Sequence, residues 1–255
     1  LLLIAFSFFT ASAQTRQEVR SFTVGEILTY EAKFSKAVLR GIEVADLSFV
    51  VEQSSGGENY LVKSTAKSKG ALAGLLNFKF NQNIESKVDG ETPQILKTVK
   101  RDEQGNRVRD SESVFDYQTG KVIFMETDPN DIARPPRRVA SSIEAGTQDL
   151  VTAIYMLRHL PLAVGKTFEL KISDSGLVYK IPARVTGREL QKGVSGKTLC
   201  YRVEPQVFGK NRLVEREGTM IIWITDDALR LPVRSQINLN IGRIEIKLKQ
   251  AKIGK

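Results

Sequence analysis

The chain has one cysteine and one histidine in 255 residues. A lone cysteine cannot form a disulfide within the chain, and a lone histidine with a lone cysteine cannot assemble a Cys/His zinc site. Aromatic residues make up only 7% of the chain, with a single tryptophan at Trp223. Beyond the first residues, no apolar run approaches the ~20 residues that a membrane-spanning helix needs. Phosphate loops are missing too, because Gly70 to Gly74 is not followed by the Lys-Ser/Thr that such a loop requires. No spacing singles out a pair of carboxylates for glycoside hydrolysis. The scarce residues thus lower the odds of an enzyme, and the expectation is that the protein is not one.

What is present is ordinary globular material, 41% hydrophobic and 26% charged. Lysine and arginine number 38 against 29 aspartates and glutamates, a net charge of +9. Leu1 to Phe9 is apolar and uncharged, and Ala11-Ser12-Ala13 follows Thr10. That pattern predicts residues 1–13 to be a secretory signal peptide cleaved after Ala13, with the given sequence beginning inside it. Residues 14–21 are polar and are expected to form a leader, and residues 22–255 to form one domain. Export makes nucleic acid the least fitting partner for the positive charge, and no aromatic-plus-basic stacking motif accompanies it.

From Val24 onward, apolar residues recur with period 2. Leu28, Tyr30, Ala32 and Phe34 form one set; Ala45, Leu47, Phe49 and Val51 form the next. Further sets include Phe78 to Val88, Leu177 to Val185, and Ile244, Ile246 and Leu248. Turn signals such as Asp89-Gly90 and Gln104-Gly105-Asn106 separate them. About a dozen strands at hairpin spacing are expected. Residues 128–146, with three prolines and three arginines, read as a long irregular loop. Thr147 to His159 reads as an amphipathic helix capped by Thr147, with Asp149 in its first turn and Pro161 beyond its end. The expected fold is mainly β: one large curved antiparallel sheet or open β-barrel, with that helix against its concave face.

Four segments resemble a bacterial family of unknown function, domain-of-unknown-function family 3108. They are Phe22-x-Val24-Gly25-Glu26-x-Leu28-x-Tyr30, Val114-Phe115-Asp116-x-x-x-Gly120-x-Val122, Gln148-Asp149-Leu150-x-x-Ala153-x-Tyr155-x-Leu157-Arg158, and Trp223-Ile224-Thr225-Asp226-Asp227 with Pro232-Val233. The resemblance spans residues 22–250. It implies an exported protein in the periplasm of a Gram-negative bacterium, and it brings no catalytic residues. In architecture it looks like the lipoprotein carriers of the envelope.

Several residues have both a functional and a structural reading. Tyr155, Arg158 and Trp223 would bind a ligand if the helix crosses a cavity mouth; otherwise the aromatics are core and Arg158 ties the helix end to a strand. Arg134, Arg137 and Arg138 would form a surface for an anionic partner, or a solvated basic patch. Asp226-Asp227 reads as a turn rather than a calcium site, since Ala228-Leu229-Arg230 adds no side-chain oxygen. Cys200 reads as a buried thiol, and His159 as a helix-end residue. Gly70 to Leu76 is a lip over a cavity or a packed connection. No cofactor is expected, and the chain is expected to be a monomer. Two functions stand side by side. One is a binding or carrier protein for a lipid or other amphiphile, with Phe78, Phe80, Ile221 and Trp223 lining a cavity. The other is a module that binds an envelope protein or polysaccharide through a basic outer face.

Overall fold

The computed structural model describes residues 22–70, 79–194 and 196–254. The expected signal peptide, the leader, Phe78 and residues 71–76 lie outside the described residues. Fourteen strands follow one another: β1 (Ile27–Lys36), β2 (Leu39–Gln53), β3 (Tyr60–Ser68), β4 (Phe80–Val88), β5 (Ile95–Gln104), β6 (Arg107–Asp116), β7 (Lys121–Thr127) and β8 (Arg137–Ser142) in the first half. The second half holds β9 (Thr167–Asp174), β10 (Leu177–Gly193), β11 (Gly196–Pro205), β12 (Gly218–Thr225), β13 (Pro232–Leu239) and β14 (Gly242–Lys252). The helix α1 (Leu150–Leu157) lies between the halves.

All fourteen strands belong to one antiparallel sheet, in the order β8-β7-β6-β5-β4-β3-β2-β1-β14-β13-β12-β11-β10-β9. Every neighbour is a hairpin partner except β1 and β14, which join the two ends of the chain. The ends of the sheet are β8 and β9, so the break falls where the chain departs to build the helix. A sheet this wide curls on its own twist. The curl brings the ends together without a shared ladder. Ser141 Oγ of β8 donates to the Gly176 carbonyl at 2.6 Å, and Lys100 Nζ of β5 lies 3.5 Å from Asp174 Oδ1 of β9. Gly176 has φ +81°, and a Cβ there would stand 2.7 Å from the Cβ atoms of Phe124 and Val139, so only glycine fits this approach.

Three expectations are corrected. Among the described residues there are fourteen strands, where about a dozen were expected. The segment 128–146 is not wholly irregular, because Arg137–Ser142 is β8, paired with β7 from Glu126↔Arg137 to Lys121↔Ser142. Pro135-Pro136 favours an extended lead-in, and the pairing itself comes from a strand the local composition does not reveal. The helix starts at Leu150, not Thr147. Gln148 is committed to a parallel bridge with Ile172 of β9, and the Thr147 hydroxyl turns back to donate to the Glu144 carbonyl at 2.8 Å. Asp149 is therefore the N-cap, in a reciprocal capping box with Thr152. Eight residues are too few for a helix stable on its own, so packing holds it.

Strand register shows which face is inside. Leu28, Phe49, Val62 and Ile84 pack with Val151 and Tyr155 of the helix, while Val185, Val203, Ile222 and Ile224 pack with Leu157. These residues define the concave face. Following the register away from the helix, the same face presents Phe34, Leu47, Phe80, Ile237, Ile244 and Ile246, all only partly buried. The helix fills one half of the cup.

Candidate functional site: the inner face of the cup

The half of the cup beyond the helix has two unlike walls. On one side, β1, β2, β13 and β14 turn apolar side chains inward. Ile237 stands opposite Ile244, and Leu47 opposite Tyr30. On the other side, register carries the inner face from Ile84 to Lys100 and Ser111, from Gln82 to Asp102 and Arg109, and from Ser111 to Glu126. This wall is charged and cross-linked. Asp102 accepts from Gln104 at 3.0 Å and lies 3.7 Å from Arg107; Arg109 pairs with Asp128 and lies 3.9 Å from Glu126. At the rim, a pocket of about 360 Å³ opens between Lys67, Lys69, Lys79, Phe80, Asn81 and Glu103. That volume lies within the range of small-molecule sites.

Between the charged wall and the start of the helix lies a chamber of about 30 Å³. Asp149 forms its roof. One carboxylate oxygen accepts from the Thr152 amide at 2.7 Å and the Thr152 hydroxyl at 2.8 Å; the other accepts from Thr98 Oγ1 at 2.7 Å and from Ser86 Oγ. Lys100, Ser111, Ser113, Ser173 and Asp174 complete the polar lining. Ser173 Oγ is buried and has no hydrogen-bond partner.

Arg158 follows the last turn of the helix and is its C-cap. Its guanidinium binds Glu26 through two bonds, Nη1–Oε1 at 2.8 Å and Nη2–Oε2 at 3.0 Å, with side chains 5% and 1% exposed. Nε and Nη2 also donate to the Leu229 carbonyl at 3.2 and 3.1 Å. The guanidinium sits 5.5 Å from the centre of the Tyr155 ring, and Phe22 packs on the same ring at 5.2 Å. Burial pushes the Tyr155 phenol above its usual range, and its hydroxyl has no partner. Two of the recurring motifs thus meet: Glu26 from the first and Tyr155 and Arg158 from the helix.

Trp223 and Ile221 alternate with Ile222 and Ile224 along β12; Trp223 is buried and belongs to the same core cluster as Val151 and Tyr155, with Ile221 packed against it. Its indole N–H donates to Glu189, and the Arg234 guanidinium stacks 4.4 Å from the ring centre. Phe80 does face inward. The three arginines of the basic cluster are separated. Arg134 lies in the connection before β8, 3.8 Å from Asp128. Arg137 and Arg138 are successive on β8 and point to opposite faces, Arg137 over the Phe124 ring at 5.3 Å. Among the described residues, no group of three or more His, Cys, Asp or Glu is placed to hold a metal ion.

The family of proteins of unknown function called DUF3108 matches residues 29–249. The chain belongs to DUF3108. No curated protein matches this DUF3108 chain. Among solved structures it is similar to a β-barrel-like protein of Brucella abortus from another family of unknown function, DUF1849. The two share 10% identity over 91% of this chain and 98% of that one, with a TM-score of 0.57. At that identity the likeness shows the fold alone. A Parabacteroides distasonis protein, at 10% identity, covers 91% of this chain and 98% of its own with a TM-score of 0.33. No helix among the described residues is long and apolar enough to cross a membrane.

The charged wall, Glu26 and the roof role of Asp149 were missed by sequence reasoning. A signal existed for the wall: Thr98, Lys100, Asp102 and Gln104 alternate without one apolar residue in the middle of a run of strands.

Proposed function

We propose that the protein is a non-enzymatic binding protein of the cell envelope, exported to the periplasm, that holds an amphipathic ligand in the open half of the cup. The opposed walls carry this reading. An apolar surface that stays partly exposed inside a curved sheet is costly in water and becomes favourable when an apolar chain covers it, at about 25 cal/mol per Å². Phe34, Leu47, Ile237 and Ile244 suit the apolar part. The facing wall of Lys100, Asp102 and Arg109 suits the polar part, as does the lysine-rich rim.

The test is to purify the whole chain from the periplasm of a Gram-negative host, measure it by native mass spectrometry, and extract it with organic solvent. A bound amphiphile is expected. Ile237→Asp together with Ile244→Asp places two carboxylates on the apolar wall and is expected to weaken a lauryl-chain probe by about tenfold or more. Circular dichroism checks that the variant is folded. Absence of co-purified amphiphile together with no uptake of lauryl-chain probes overturns the proposal.

A further inference from the structure

The chamber under the helix start sets hydroxyls, two carboxylates and one lysine beside the apolar Ile84, Phe124, Leu150 and Val151, and both carboxylates already have partners. Asp149 takes four hydrogen bonds, from the Ser86 and Thr98 hydroxyls and from the Thr152 amide and hydroxyl. Asp174 faces Lys100 at 3.5 Å, and Ser175 Oγ donates to its other oxygen at 3.3 Å. A second carboxylate entering here would meet two anions and one committed lysine. An ammonium would meet Lys100 and two carboxylates that already accept hydrogen bonds or an ion pair. Either would bring an unpaired charge into a site shielded from water.

Hydroxyls are what the lining lacks partners for. Ser173 is 4% exposed, and its Oγ lies on the chamber wall with no bond to the protein. Ser111 and Ser113 add two more buried hydroxyls from β6. A serine hydroxyl both donates and accepts, and an incoming hydroxyl answers it in both senses. Lys100 lines the chamber and also stands on the charged wall of the cup, so the two adjoin at this side chain.

We propose that this chamber is the head-group subsite for the ligand of the cup, and that it selects a neutral, hydroxyl-bearing head of the glycerol or sugar type. The inference rests on the reading of the cup as an amphiphile site. The volume of about 30 Å³ admits the leading hydroxyls of such a head, not a whole ring. Ser173, Ser113 and Lys100 are the recognition residues, while Asp149 holds the roof and the helix in place.

Three probes with the same chain and different heads test it: monolaurin, lauric acid and dodecylamine, each titrated calorimetrically into the whole chain. Monolaurin is expected to bind about tenfold more tightly than the other two, the discrimination of one well-made buried hydrogen bond. Ser173→Ala removes a hydroxyl that bonds to nothing in the protein, so the thermal midpoint is expected to stay put. That variant is expected to lose the preference for monolaurin while its affinity for lauric acid is unchanged. Equal binding of the three heads, a preference for the acid or the amine, or an equal loss for all three in Ser173→Ala overturns the head-group assignment and leaves the cup as a binding site. If none of the three binds, the reading of the cup itself falls, and the subsite with it.

Discussion

Removing one partner of the Glu26–Arg158 pair is the sharpest perturbation of this fold. The two side chains are 1% and 5% exposed and bound through both carboxylate oxygens. Glu26→Gln leaves a guanidinium in the core with only the Leu229 carbonyl to compensate it; Arg158→Met leaves a buried carboxylate. Breaking a buried pair from one side costs about 3–5 kcal/mol. For a domain of this size, that lowers the thermal midpoint by roughly 6 to 20 °C. The double variant Glu26→Leu/Arg158→Met strands no charge. It is expected to lose only about 1–3 kcal/mol, chiefly for the orphaned Leu229 carbonyl. Trp223, the sole tryptophan and buried, reports urea unfolding of all four proteins by fluorescence. If each single variant costs less than about 1 kcal/mol, or the double equals the sum of the singles, the pair does not join the helix to the first strand as described.

Other expectations follow from individual buried groups. Tyr155→Phe deletes a hydroxyl that is buried without a partner, so urea unfolding is expected to show no loss, or a gain of up to about 1 kcal/mol; a loss larger than that would mean the hydroxyl is bonded. Burial, then Arg158 and Arg230, holds the His159 imidazole below its ordinary value. The unfolded chain therefore binds the proton more readily, and stability falls as pH drops through about 6.5 while staying level above it. In His159→Gln that slope between neutral and mildly acid pH is expected to flatten, and an unchanged slope would refute the assignment. Burial, then Asp227 and Glu189, pushes the Cys200 thiol up to about 11. Ellman's reagent at pH 8 is expected to label it only in urea, and rapid labelling of the native protein would contradict its burial.

Much of the architecture was legible because strands write themselves locally. The sets Leu28 to Phe34, Ala45 to Val51 and Ile244 to Leu248 are period-2 patterns, and each became one inner face. Even so, alternation says only that two residues share a face, not which face is inside. In β12, Met220, Ile222 and Ile224 alternate with Ile221 and Trp223, and both sets are apolar. Only tertiary contacts separate them: the first set packs with Leu157, while Trp223 stacks on Arg234 and joins the cluster of Val151 and Tyr155. The strand β8 was hidden because its sequence carries two arginines and little apolar material, and its pairing comes from β7. The cap moved from Thr147 to Asp149 because Gln148 is claimed by β9, a strand later in the chain.

Composition and spacing by themselves determined the antiparallel meander and the helix near its midpoint. They did so because hydrophobic period, turn residues and helix stops act within a few residues. The tertiary structure alone decided that Glu26 reaches Arg158 across 132 positions, and that Ser86 and Thr98 converge on Asp149 from 63 and 51 positions away. It also decided that β4 to β7 set a charged wall against an apolar one. Those relations depend on how far the sheet curls before its ends meet at Gly176, a sum of small twists over fourteen strands that no local stretch of sequence contains.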